Sequence, residues 1–267
     1  MYTPRREHAD QTTEVELVIK RKRRKPLKFK IALAKIEEIA RHVGDDIEDA
    51  LLNMSVMEAG NDLINAAPER TYPGAKSYSA IQHALTISVL LTVARLFDQD
   101  GPHRDPNKSD KASLPNLIRL LSQKRCAEEF ARRARSWIPH MPDISDSQEA
   151  ACREALSGAI SSYRTFRKST SYRNALKRVR ELRDREIAHS LTRPPREALP
   201  IYRELFDLLK ISKSIVRLAR FAIEGSNFDY DDVERIMRND GDRFWRMALL
   251  GRRSENTSDP QLDQDAH

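Results

Sequence analysis

The chain has 267 residues, a formal net charge of +7 and 33% charged residues. This length allows one large domain or two small ones with a sizeable core, and the basic excess favours a polyanionic partner such as RNA, DNA or an acidic membrane surface. Two cysteines are too few for a disulfide framework, no apolar signal is found, and the most apolar segment, 84–97, is expected to be too short to span a membrane, so the composition predicts a cytoplasmic protein with no membrane segment.

Residues 1–26 are predicted to form a disordered basic arm. The run from Lys20 to Lys30 has no acidic residue, and Pro26 lies within it. Such an arm can hold phosphate by counterion release but gives no sequence specificity, and the same run also fits a nuclear-localisation signal. The arm residues predicted to bind RNA are Lys20, Arg21, Lys22, Arg23, Arg24 and Lys25.

The first predicted helix begins at Leu27 and ends before Pro68. Its apolar residues step by three or four positions and form one stripe, and Gly44 is a point where the helix could bend or split. A second helix over about 80–98, capped by Ser77 or Ser79, is apolar nearly all round. That pattern is typical of a helix in the centre of a bundle.

The middle of the chain alternates polar loops and helices. A polar loop covers 99–112, and Ser113 is predicted to cap a helix that ends at Leu121. The pattern then continues, basic and broken, to Trp137. Capping residues at 143–147 precede one long predicted helix that reaches His189.

Two further helices complete the predicted fold. An apolar stripe runs from Tyr202 to Ile223, and Asp229 is placed to start the last helix, whereas the polar residues 251–267 are predicted to be a disordered tail. The sequence therefore predicts an all-α bundle of five to eight helices over residues 27–250.

Sequence signatures of cofactor and metal sites are absent. The chain contains no Gly-rich phosphate loop, no C-x-x-C and no H-E-x-x-H, so we expect no cofactor and no metal site. His42, His83 and His103 lack ligand spacing and are better explained as surface or core-edge residues.

The most informative segment lies near the end of the long predicted helix. It contains Arg183, Asp184, Arg185 and His189. An imidazole can move a proton near neutral pH, and a guanidinium can hold phosphate oxygens with its fork of N–H donors. These are the residue types that RNA cleavage without a metal requires.

Spacing alone does not distinguish this segment from chance in so Arg-rich a chain. Arg133 and Arg135 also precede His140 at suitable spacing, but Pro139 interrupts the helix there. On a helix, six steps leave Arg183 and His189 roughly 120° apart around the axis and about 9 Å apart along it. From spacing alone, a solvated helix terminus is the better explanation of the pattern.

The wider sequence resembles the HEPN proteins, whose signature is an Arg, a polar residue and, a few residues later, a His. Arg183, Asp184 and His189 fit that signature, and Arg185 is an additional cation within it. Residues 83–98 and 113–121 also resemble the abortive-infection subfamily. The resemblance covers roughly residues 35–225 and leaves out the basic arm and the last helix.

The resemblance implies an up-and-down helical bundle, often a homodimer, acting as a metal-independent endoribonuclease in phage defence or a toxin–antitoxin system. RNA and an antitoxin protein are the implied partners. His189 would act as general base or acid, Arg183 would stabilise the phosphorane charge, Asp184 would orient one of them, and Arg185 would bind RNA. The alternatives are a non-catalytic HEPN-like protein that binds RNA or a protein partner, and a nucleic-acid binder that acts only through its basic arm.

Overall fold

The computed structural model describes residues 27–99, 105–184 and 202–251. In these ranges the chain forms eight α-helices and no β-strand, which confirms the predicted all-α bundle. The predicted arm and nearly all of the predicted tail lie outside the described residues and stay predictions. The helices are α1 (Phe29–Asn65), α2 (Ala75–Leu96), α3 (Leu114–Leu121), α4 (Lys124–Ala134), α5 (Ser145–Lys168), α6 (Thr170–Leu182), α7 (Tyr202–Glu224) and α8 (Tyr230–Leu250).

Helix α1 is the central element of the bundle. Its 37 residues extend over about 55 Å, and its buried stripe contacts α2, α3, α7 and α8. Gly44 does not interrupt it. A Cβ at Gly44 would lie 3.0 Å from Nη1 of Arg220, so the missing side chain leaves room for a guanidinium from α7.

Helix α8 packs against the C-terminal half of α1. Gly241 is buried there, and a Cβ added to it would lie 3.1 Å from the Cα of Val56. Trp245 is 1% exposed, and its Nε1 donates a hydrogen bond of 2.7 Å to the carbonyl of Val56. Close backbone approach and a satisfied indole therefore hold α8 on α1.

Helix α2 differs from its prediction in two respects. It begins at Ala75, after Gly74 with φ 81°, so Ser77 and Ser79 lie inside the helix and do not cap it. The left-handed conformation of Gly74 starts the helix earlier than a serine cap would.

The second difference concerns burial, because the predicted central position holds only for the C-terminal half of α2, from Val89 to Leu96. By length and composition alone, α2 is also apolar enough to cross a bilayer. However, Gln82 donates to the Met57 carbonyl at 3.0 Å and Asn53 donates to the Ser88 hydroxyl at 3.0 Å, which ties α2 to α1 through polar contacts. Such contacts suit a helix of a bundle.

The long helix predicted to reach His189 is divided in two. Ser169 has φ −68° and ψ 123°, so α5 ends before it and α6 begins after it. Its hydroxyl accepts from the backbone N–H of Tyr172. Ser169, Thr170 and Ser171 are residue types that compete for backbone hydrogen bonds, and this favours a helix start where apolar periodicity predicts a helix interior.

The last two helices agree with their predictions. Helix α7 buries the expected stripe from Leu205 to Ala219, whereas Tyr202 at its start is 37% exposed. Asp229 caps α8, because its Oδ1 accepts from the backbone N–H groups of Asp231 at 2.9 Å and Asp232 at 3.3 Å. This cap satisfies two of the unpaired N–H groups at the start of the helix.

Candidate functional site

Helix α6 carries the Arg183–Asp184 part of the motif. Its inner face buries Ala175, Leu176 and Val179 in the main core. The helix contacts α2, α5 and α7. The position of the motif therefore depends on how firmly α6 is held against these three neighbours.

An aromatic group holds the first turn of α6. The ring of Tyr172 lies 5.1 Å from that of Phe166 on α5, and Phe166 stacks on Phe97 at 4.7 Å. Phe97 directly follows α2, so the group joins three segments of the bundle. Aromatic pairs in these arrangements stabilise packing beyond the area that they bury.

Two arginines hold the second half of α6. Arg180 donates to the backbone carbonyl of Phe97 at 3.0 Å. Arg178 forms a two-pronged ion pair with Glu204 at the start of α7, with 2.9 Å between its Nε and the carboxylate. The hydrogen bonds to Glu204 raise the pKa of Arg178. Both side chains take part in contacts that hold α6 in place.

Arg183 and Asp184 follow directly after α6. Arg183 keeps helical backbone angles (φ −55°, ψ −49°), and the chain widens there into a π-type turn. Such turns are frequent at functional sites. The Nε and Nη2 atoms of Arg183 lie 2.8 Å and 2.7 Å from the same carboxylate oxygen of Asp184.

The pair is partly open to solvent. The side chain of Arg183 is 32% exposed and that of Asp184 is 62% exposed. A guanidinium has five N–H donors, and the Asp184 contact engages Nε and one terminal nitrogen. Asp184 is its one hydrogen-bonding partner among the described residues, so Arg183 can present its remaining donors to the oxygens of a phosphate.

The structure brings together only part of the predicted site. Arg183 and Asp184 form a direct contact, as a role for Asp184 in orienting the arginine requires. Arg185, His189 and the arm residues Lys20–Lys25 lie outside the described residues, so their predicted roles stay predictions. Within the described part of the chain, no three His, Cys, Asp or Glu side chains are grouped to hold a metal ion.

Sequence reasoning also missed a basic region on α5 and α6. Residues 155–180 contain no Asp or Glu and seven Lys or Arg residues. Except for Arg178 and Arg180, these basic side chains are exposed. The absence of carboxylates over this stretch is the sequence signal that could have identified the region.

Fold and site together define the class of protein. It is an all-α bundle in which an arginine, held by a neighbouring carboxylate, lies at the end of a helix. The HEPN_AbiU2 family model, described as AbiU2, matches residues 33–244, which is most of the chain. The chain therefore belongs to the AbiU2 family of HEPN proteins, an abortive-infection type. The match extends into α8, which the sequence resemblance leaves out. No curated protein and no solved structure matches the chain significantly.

Proposed function

We propose that this protein is a metal-independent endoribonuclease of a phage-defence or toxin–antitoxin type, acting through Arg183, Asp184 and His189. The observation that supports the proposal is the partly exposed Arg183 guanidinium, which Asp184 holds at the position that the resemblance predicts for the HEPN motif, in a chain of the AbiU2 family. A preorganised cation of this kind is suited to the charge that develops on phosphorus during cleavage.

The proposed reaction needs only acid–base chemistry and charge stabilisation. The ribose 2′-OH attacks the adjacent phosphorus as His189, or its counterpart from a second copy, removes the proton. The bond from phosphorus to the 5′-oxygen breaks, and that oxygen receives a proton. The products are a 2′,3′-cyclic phosphate and a 5′-hydroxyl. Arg183 stabilises the pentacoordinate phosphorus, and Asp184 keeps the guanidinium in place.

A homodimer is part of the proposal. One Arg and one His make a sparse site, whereas two copies related by a twofold axis would double the number of cations and imidazoles around one phosphate. Light scattering tests this: a chain that cleaves RNA and yet stays a monomer at high concentration would contradict it.

The cleavage proposal is tested with single-stranded RNA and excess EDTA. Wild-type protein is expected to cleave, and His189→Ala and Arg183→Ala are each expected to lower the rate by a factor on the order of 100 or more. His42→Ala and Arg132→Ala are matched controls, because both side chains are exposed on other helices. The controls are expected to cleave at the wild-type rate.

Two results would contradict the nuclease. One is cleavage by His189→Ala at the wild-type rate. The other is products with 5′-phosphate and 3′-hydroxyl ends, which attack by the 2′-OH cannot give. A folded wild-type chain that binds RNA without cleaving it would favour the alternative, a non-catalytic HEPN protein that binds RNA or a protein partner.

A further inference from the structure

We propose that a basic surface on α5 and α6 binds the phosphate backbone of single-stranded RNA and guides it to Arg183. The α5–α6 basic surface consists of Arg164, Arg167, Lys168, Arg173 and Lys177. The inference rests on the proposed ribonuclease function for its substrate class, but it assigns a binding site separate from both the motif and the basic arm.

The five side chains form two groups, one on α5 and one on α6, on either side of Ser169. Arg164, Arg167 and Lys168 are three and four residues apart and share one face of α5. Arg173 and Lys177 are four residues apart and share one face of α6. All five are exposed. Only five positions separate Lys168 from Arg173, so the two groups of cations lie close together along the chain where α5 gives way to α6.

The charge of this surface is hardly neutralised, in contrast to other basic regions of the bundle. On α4, hydrogen bonds from Arg132 and Arg133 lower the pKa of Glu129 to about 2, and bonds from Arg135 and Arg153 lower the pKa of Glu149.

By comparison, no carboxylate of the described residues pairs with Arg164, Arg167, Lys168 or Arg173. Lys177 has only an exposed contact of 3.6 Å to Glu181, and exposed pairs of this kind are weak. The surface is therefore a concentrated, unpaired positive charge.

The neighbouring side chains favour a nucleic acid over a membrane. Exposed hydroxyl and amide groups lie between the cations, and such groups commonly donate to phosphate oxygens. They are Ser157, Ser161, Thr165, Thr170, Ser171 and Asn174. Over residues 145–184 no large hydrophobic side chain is exposed. A helix that lies on a membrane requires an apolar face to insert, and this surface has none.

The surface leads directly to the motif. Asp184 follows Lys177 by seven residues and Arg173 by eleven, so all three lie near one line along α6. The rise along the helix places Asp184 about 16 Å beyond Arg173. Asp184 holds Arg183. An RNA strand bound to the cations of α6 would therefore reach the Arg183 guanidinium just beyond the end of the helix.

The test compares two variants of the full chain, each with four substitutions. Both also carry His189→Ala, so that the RNA probe is not cleaved. The surface variant is Arg164→Gln, Arg167→Gln, Lys168→Gln and Arg173→Gln. The matched control removes the same charge from exposed, ion-paired residues: Lys124→Gln, Arg132→Gln, Arg235→Gln and Arg246→Gln. Binding of a fluorescent single-stranded oligouridylate is followed by anisotropy over a range of salt concentrations, and circular dichroism checks folding.

The surface variant is expected to raise Kd about tenfold or more at low salt, and to flatten the log K against log salt slope by about 0.7 for each lost phosphate contact. The control is expected to stay within about twofold of the parent chain. Equal losses in both variants would overturn the inference, since net charge alone would then account for binding. So would unchanged binding by a folded surface variant, or no RNA binding by the parent.

Two further readouts identify the class of ligand and test the nuclease independently. Vesicles containing an anionic lipid are a parallel probe, and a surface variant that loses vesicle binding but retains RNA binding would overturn the assignment to RNA. Cleavage assays test the proposed function separately. A chain that never cleaves, yet loses RNA affinity only in the surface variant, would disprove the nuclease while supporting the binding surface.

Discussion

At the scale of single residues, the contact between Arg183 and Asp184 has two opposing effects. The carboxylate fixes the guanidinium, because two nitrogens bond to one of its oxygens. The same carboxylate partly neutralises the charge that would attract a phosphate. Fixing the position is the more important effect for a transition state, because an arginine held in place spends no further free energy on ordering.

The first prediction concerns the substitution Asp184→Asn. It keeps the shape of the side chain but removes its charge, so Arg183 is held less firmly, and the cleavage rate is expected to fall by a factor of about 10 to 100. Stability is expected to change little because Asp184 is largely exposed. Single-turnover cleavage at saturating protein measures the effect.

Asp232→Asn is the matched control, because that carboxylate is equally exposed and also pairs with an arginine, Arg235. A wild-type rate for Asp184→Asn would show that Asp184 does not position Arg183. If the control lost as much activity as Asp184→Asn, the loss could not be attributed to the motif.

At the scale of elements, close packing of α8 on α1 depends on glycine. At Gly241 an added Cβ would lie 3.1 Å from a backbone carbon and 3.2 Å from a backbone oxygen of α1, and neither atom can move away easily. At Gly158 on α5, the nearest atom would be Cδ1 of Leu218 at 3.2 Å, at the end of a flexible side chain. An added side chain would therefore press against backbone atoms at Gly241 but only against a flexible side chain at Gly158.

The second prediction follows from this difference. Gly241→Ala is expected to lower the free energy of unfolding by about 1–3 kcal/mol, because α8 must shift away from α1. Gly158→Ala is expected to be neutral or to raise it by up to about 1 kcal/mol, because alanine favours the helix. Urea denaturation followed by circular dichroism measures both. Equal effects of the two substitutions would contradict the assigned helix contact.

Sequence patterns predicted most helices because their signals are local. The stripe of α7 and the Asp229 cap of α8 can both be recognised within one or two turns. The break at Ser169 was missed because apolar spacing continues across it, and neither Gly nor Pro marks it. Gly74 as the start of α2 was missed because two serines nearby offered more familiar caps.

At the scale of the whole molecule, partners that are distant in the sequence decide whether an arginine is paired within the fold. Arg178 pairs with Glu204, and Arg180 bonds to the carbonyl of Phe97. Arg173, on the same helix, has no carboxylate partner among the described residues. The sequence could therefore single out the Arg183 motif by its resemblance to the HEPN signature, but it could not predict which other cations lack a carboxylate partner, because tertiary contacts decide this.

The third prediction uses the two cysteines as reporters of the whole fold. Cys126 on α4 and Cys152 on α5 are both buried in the main core. Burial raises the pKa of both thiols, to about 11 for Cys152, so both stay protonated at neutral pH. Only the thiolate reacts with disulfide reagents, so labelling of the native chain is expected to be slow and to become rapid in denaturant.

Labelling with an aromatic disulfide reagent, followed by absorbance, measures this. The rate is expected to increase with pH, because the thiolate fraction grows as the pH approaches the raised pKa values. Cys126→Ser and Cys152→Ser assign each phase. Complete labelling of both thiols within the mixing time, under native conditions, would contradict the observed burial.

The small apolar area that α6 buries affects how easily this helix unfolds locally. This helix buries only Ala175, Leu176 and Val179, whereas α1 carries a buried stripe from Ala32 to Gly60. Packing of α6 removes less apolar area from water, so local unfolding of α6 should require less free energy than unfolding of the rest of the bundle. The amide hydrogens of α6 should therefore exchange with deuterium sooner than those of α1. Arg183 is then held in position only in the fraction of molecules in which α6 is folded.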